Sequence, residues 1–168
     1  MLKNVLIPEK IGSYYLVGKR VLGLDISKSH VCAIQVMMRG KTITIEKVFQ
    51  EVVDNGATTP GQEKIVEALR AIMGQAHKKC VIHTALPSNL IIFKTLRLPF
   101  VDREKIAMII NYEIEPLLPF AASDALVDFI ITKIHPEDSS SEVLVAAVQK
   151  HHVIQHLDML AQAGVDPE

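Results

Sequence analysis

The fold of this chain is read from Val21-Leu22-Gly23-Leu24-Asp25-Ile26, Ser27-Lys28-Ser29-His30 and the run from Val31 to Met38. The first segment is apolar around a single Asp and reads as a short buried strand. Ser27 to His30 reads as a turn, and Val31 to Met38 sets Cys32, Ile34, Val36 and Met38 on one face at period two. Arg39-Gly40-Lys41 is a compact hairpin turn, and a third strand follows from Thr42 to Val53, with Ile43 and Ile45 alternating with Thr42 and Thr44. Three consecutive strands with tight turns make an antiparallel meander. Upstream, Pro8 and Gly12 break any helix in residues 1–20, and Tyr14-Tyr15-Leu16-Val17 is compatible with a strand.

Downstream, Asp54-Asn55-Gly56-Ala57 reads as a loop and Thr59-Pro60-Gly61-Gln62 as a capping box, with Thr at the cap and Gln three residues on. Ile65, Leu69, Ile72, Met73 and Ala76 then share one helical stripe, and Lys78-Lys79 closes the helix with the charge its dipole favours. Cys80 to Leu86 reads as a buried strand, with His83 as a core residue, and a helix joining two strands of one sheet makes a right-handed crossover. A different block follows. It runs as a strand from Leu90 to Leu98, then a helix from Asp102 carrying Ile106, Ile109, Ile110 and Ile114 and stopped by Pro116. A strand from Leu126 to Ile134, a polar loop from Pro136 to Ser141 and a buried strand from Val143 to Val148 complete it. Strand–helix–strand–strand is a small α+β unit with its own sheet. The last helix carries Val153, Leu157, Leu160 and Ala161 on one face, with Gly164 at the C-terminal cap position. Val165-Asp166-Pro167-Glu168 then reads as the opening of a new strand, so a truncated chain is expected.

Composition narrows the function classes. In 168 residues, 49% are hydrophobic and 22% charged, which is ordinary globular composition with core enough to stand without disulfides or metal. With 18 Lys plus Arg against 19 Asp plus Glu, the net charge is −1. A near-neutral chain with no Trp and 5% aromatic residues offers neither the basic surplus nor the stacking platforms of a nucleic-acid binder. Cys32 and Cys80 both sit in apolar runs and read as buried thiols of a reducing compartment. No stretch approaches the ~18–20 apolar residues of a membrane span.

Enzymatic motifs are missing from the sequence. There is no Gly-x-Ser-x-Gly elbow, no Walker loop and no dinucleotide fingerprint, and neither Cys has a polar setting. Glu113 and Glu115, two apart, do not share a helix face and cannot act as a paired acid and base. His152 and His156 have metal-ligand spacing but no Glu in the zincin order, so a surface helix is the reading preferred there. Leu117, Leu118 and Phe120, fixed by Pro116 and Pro119, form either an apolar docking corner or a cover for the small sheet.

Several stretches also resemble one family. Gly23-Leu24-Asp25-Ile26 with its turn and second strand looks like the first phosphate hairpin of the actin/hexokinase-like ATPases. The segments from Leu98 to Ile106 and from Tyr112 to Phe120 are similar to a signature of the pilus-assembly family PilM and its type II secretion relative GspL. Val143 to Lys150, with Leu157 to Gly164, resembles the family's next block. The resemblance implies the N-terminal half of an actin/FtsA-like ATPase fold, of class α/β with an α+β insert. Its first subdomain would comprise residues 1–86 and 150–168, its insert 87–149, and its second half would follow residue 168.

The resemblance also implies a site. Asp25 stands where an Asp holds Mg²⁺ through water, and Ser27, Lys28 and Ser29 line the hairpin whose amides would hold a phosphate. Ser27 departs from the family, which has Gly there because Gly lets phosphate approach the backbone. The bland alternative is that Asp25 caps its strand and turn. ATP with Mg is expected only in a full-length protein, with no cofactor in this fragment. The expected function is a non-catalytic cytoplasmic scaffold at the bacterial inner membrane. Its expected partners are the tail of a membrane-anchored platform subunit, the motor ATPase and further copies of itself, with the membrane touched only indirectly. The alternatives are an ATPase or phosphotransferase of the same superfold, or a filament-forming division protein.

Overall fold

The computed structural model describes all residues except 1–9, 12–13, 28 and 54–60, with side chains described from Gly18 onward. The chain divides into two compact units, Met1–Ala85 with Leu157–Glu168, and Leu86–His156.

The first unit holds β1 (Lys10–Ile11), β2 (Tyr14–Ile26), β3 (His30–Gly40), β4 (Thr42–Val52), helix α1 (Gln62–Gln75) and β5 (Val81–Thr84). The sheet runs β1-β2-β3-β4, and β5 pairs with β2 in parallel. The meander is therefore present, and the run beginning at Tyr14 is the start of one 13-residue strand. Gly40, at φ 61°, makes the β3–β4 turn, which an L side chain would strain.

The buried face of β3 differs from the expected one. Val31, Ala33 and Gln35 face the core, whereas Ile34 is exposed and Cys32, Val36 and Met38 are half-buried. Register is the reason: Gln35 pairs with Leu22 and Ala33 with Leu24, so these residues share the face that α1 covers. β3 is apolar on both faces, so alternation alone cannot choose between them. The buried Gln35 amide donates to Glu46 Oε2 at 2.7 Å and its oxygen accepts from His77 N–H at 2.8 Å. A polar side chain in the core is thereby satisfied at both ends.

α1 carries the expected stripe, with Leu69 and Ile72 fully buried and Ile65, Met73 and Ala76 packed against them. Its ends differ from expectation. Gly61 is the N-cap and makes no side-chain bond, and Thr59 and Pro60 lie outside the described residues. The helix stops at Gln75, so Lys78 and Lys79 lie beyond its last turn.

Helix α3 (Lys150–Gln162) supplies Met159 and Leu160 to the first core, while Leu157 and Ala161 are exposed, so the apolar stripe is rotated from the expected one. Gly164, at φ 74°, ends the helix as expected: its N–H bonds Ala161 O and Val165 N–H bonds Leu160 O, both at 2.9 Å. That reversal returns Val165 to the core, and Glu168 N–H reaches Ile82 O of β5 at 3.0 Å.

The second unit holds β6 (Ile91–Leu98), α2 (Arg103–Ile114), β7 (Ala125–His135) and β8 (Ser140–Gln149), in an antiparallel sheet of order β6-β8-β7. Ile106, Ile110 and Ile114 of α2 pack on Leu98, Phe129, Val143 and Val145. Asp102 caps α2, its carboxylate accepting from Glu104 N–H at 2.8 Å. Pro116 lies in a 3-10 turn, Glu115–Leu117, directly after the helix.

Candidate functional site

The β2–β3 hairpin is closed by its own side chain. Ser27 N–H donates to His30 O at 3.0 Å and Ser27 Oγ donates to the same oxygen at 2.7 Å. His30 N–H in turn donates to Ser27 Oγ at 3.1 Å. Ser29 Oγ bonds His30 Nδ1 at 2.8 Å, and Lys28 lies outside the described residues. The Ser27 and His30 amides are therefore both bonded within the turn. Among non-glycine described residues only Ser139 has a positive φ, so Ser27 sits in an ordinary backbone well and the hydroxyl, not strain, sets the difference from Gly.

Asp25 lies at the end of β2, opposite Cys32 of β3, with an exposed side chain. It borders a cavity of about 400 Å³ with Gly23, Cys32, Ile34, Val48 and His83. The walls are mostly apolar, which suits a side chain better than a polyphosphate. His83, expected in the core, is exposed here, because it pairs with Gly23 and so shares the outer face. Alternation along Val81-Ile82-His83-Thr84 puts Ile82 inward and His83 outward, a signal that reading the strand as buried on both sides misses.

The cavity belongs to a wider apolar face. Ile34, Ile43, Ile45, Val48 and Val52 are all exposed, with Val48 at 71%, on the side of the sheet away from α1. On the opposite, α1-covered side of the sheet, beside Gln35, Arg20 Nε donates to Glu46 at 2.9 and 3.2 Å. The bonds from Arg20 and then Gln35 hold the Glu46 carboxyl below its usual range, and the same pair raises Arg20. Burial raises the Cys80 thiol, which does not favour a nucleophile, and both cysteines are free.

In the second unit the proline-fixed corner splits. Leu117 is 43% exposed, while Leu118 packs against the α2 core and Phe120 is half-buried. Met108 and Tyr112, one turn apart on α2, are exposed beyond it. The β7–β8 hairpin is tied by Asp138, which accepts Ser140 N–H and Oγ and pairs with Arg97; the Ser140 hydroxyl is the main cause of its lowered pKa. His135 lies between Glu137 and Glu142, at 3.2 and 3.0 Å. On α3, His151 and His152 rings sit 3.9 Å apart, and burial lowers the half-buried His156.

A meander with a parallel strand and returning helix, together with a strand–helix–strand–strand unit, is the arrangement of an actin-like ATPase fold. The family model for the type IV pilus assembly protein PilM matches residues 23–168, and the chain belongs to that family. Among solved structures, it is similar to a chain of the PilM–PilN type IV pilus biogenesis complex, with a TM-score of 0.74 at 21% identity over 88% of this chain and 45% of that one. It is also similar to the cytoplasmic domain of EpsL, an inner-membrane component of the type II secretion system of Vibrio cholerae. There the TM-score is 0.58 at 16% identity, covering 89% of this chain and 56% of that one. The chain thus spans about half the length of these solved relatives. None of the curated protein sequences compared with it matches. Among the described residues no helix is long and apolar enough to cross a membrane.

Proposed function

We propose that the chain is part of a cytoplasmic scaffold at the bacterial inner membrane, docking the tail of a membrane-anchored platform subunit in a pilus or secretion machine. The observation that carries this is the second unit: a three-stranded sheet with one covered face and two edges, on a chain of the PilM family. An open sheet edge recruits an extended peptide through main-chain hydrogen bonds. A solved PilM is found with PilN, which supports a subunit of that type as the partner. The motor ATPase and further copies of the chain are further partners on this proposal.

The hairpin argues for a platform rather than an enzyme. Ser27 ties its own amide and that of His30 into the turn, which leaves fewer free amides for a phosphate, so on this reading Mg-ATP binds weakly and its turnover is not the output. Asp25 is the residue assigned to whatever Mg contact remains. The test is co-expression with a PilN-type subunit of the same organism. Co-purification that is lost when that subunit's cytoplasmic tail is deleted is expected; co-purification indifferent to the tail would overturn the proposal.

A further inference from the structure

β4 is an open edge of the first sheet. Among the described residues it pairs with β3 alone, so alternate N–H and C=O groups face away from the sheet. From Thr42 to Val52 only Phe49 and Glu51 are half-buried, and every other side chain is exposed. One irregularity interrupts the strand. Gln35 of β3 pairs with Lys47 but Val36 pairs with Ile45, so Glu46 is an extra residue, a bulge. Glu46 and Lys47 therefore share the face toward α1. The Glu46 carboxylate accepts from Gln35, and Lys47 Nζ donates to Gln75 O, at the end of α1, at 2.8 Å. Ile45 and Val48, on either side of that pair, share the outer face and are exposed.

We infer that β4 is a self-pairing edge, whose occupant is β4 of a second copy of this chain, antiparallel about a two-fold axis between Glu46 and Lys47. In that register Glu46 lies opposite Lys47 of the second copy, and Lys47 opposite its Glu46. Ile45 lies opposite Val48, Ile43 opposite Gln50, Thr44 opposite Phe49 and Thr42 opposite Glu51. Each residue meets one on its own face of the sheet, because both strands carry the extra residue at the same place. A slip of one residue sets Glu46 against Glu46, or Lys47 against Lys47, and turns the faces out of step. A charged bulge on an edge ordinarily deters pairing; here the second copy supplies its match. Arg20 and Gln35 hold the Glu46 carboxylate in place, and Lys47 keeps donors beyond the one spent on Gln75. A foreign strand of one charge would satisfy half of the Glu46-Lys47 pair and oppose the other half. This surface deepens the part of the proposal above that names further copies as partners, on which it rests, and it is independent of tail docking.

The test is sedimentation of the 168-residue chain over a range of concentrations, beside two charge reversals. A monomer–dimer equilibrium is expected. Glu46→Lys alone and Lys47→Glu alone are each expected to weaken the dimer about tenfold, since each sets like charges opposite one another twice. Mixing the two variants is expected to restore dimers, because both pairs are then again of opposite sign. A second pair of variants leaves the Glu46 hydrogen bonds intact. Ile45→Cys mixed with Val48→Cys is expected to form a disulfide-linked dimer on mild oxidation, well above the level given by either variant alone or by the parent chain with Cys32 and Cys80. Dimers that ignore the charge reversals and form no such crosslink would overturn the β4 assignment while leaving self-association intact. Growth beyond a dimer would do the same, in favour of stacked outer faces. A chain monomeric at every concentration would overturn both, and none of these outcomes bears on tail docking.

Discussion

Ser27 holds the β2–β3 turn through both its main chain and its hydroxyl. Its hydroxyl donates to His30 O and accepts from His30 N–H, which closes the β2–β3 hairpin proposed above as a weakened phosphate site. Ser27→Gly is expected to free one amide and raise affinity for Mg-ATP, and equal affinities in calorimetry would count against the plugged hairpin. Gln35 is the other residue whose role is internal. It bridges Glu46 to the His77 main chain from a buried position, so Gln35→Leu is expected to cost about 1–3 kcal/mol in denaturant unfolding. The paired Glu46 has a lowered pKa, so its contribution is present above its ordinary value of 4.5 and lost as pH falls through the lower folded value. His156 has the same sign for a different reason. Burial disfavours its charged form, so the unfolded chain binds the proton better and stability falls as pH drops below 6.5. Thermal unfolding between pH 5 and 7 is expected to show a shallower slope for His156→Gln than for the parent chain. Equal slopes would show that His156 does not titrate differently on folding.

Among the elements, α2 shows how closely sequence and structure can agree. Asp102, its Ile stripe and Pro116 mark the start, the buried face and the exit, and each is found where it was read. Asp102→Ala is expected to cost about 1 kcal/mol, through loss of the bond to Glu104 N–H. Strand positions were legible for the same reason: turn residues such as Gly40 and the Pro136–Ser139 loop punctuate them. Faces were less legible. β3 is apolar on both sides, and only its pairing with Leu22 and Leu24 selects Ala33 over Ile34 for the core. The stripe of α3 failed likewise, because packing against the first core places Met159 and Leu160 inward, while the N-cap of α1 falls on Gly61, two residues after Thr59. Of the candidate site, the position of Asp25 and the hairpin were readable in advance. The hydroxyl bonds of Ser27 and the exposure of His83 were not, since the first depends on hydrogen-bond geometry and the second on pairing with Gly23, distant in sequence.

At the scale of the whole molecule, the outer face of the first sheet is the main anomaly. Ile43, Ile45, Val48 and Val52 lie exposed together, a patch that a soluble monomer rarely carries. Val48→Lys is expected to reduce concentration-dependent association by light scattering while changing stability by no more than about 0.5 kcal/mol. Unfolding of the variant would show that Val48 belongs to a core instead. The measurement closest to the central claim is calorimetric titration of the PilN-type tail peptide into the chain, with and without Mg-ATP. Saturable tail binding that Mg-ATP leaves unchanged is the expected result. Absence of tail binding, together with steady release of phosphate from Mg-ATP, would contradict a docking platform and favour an enzyme.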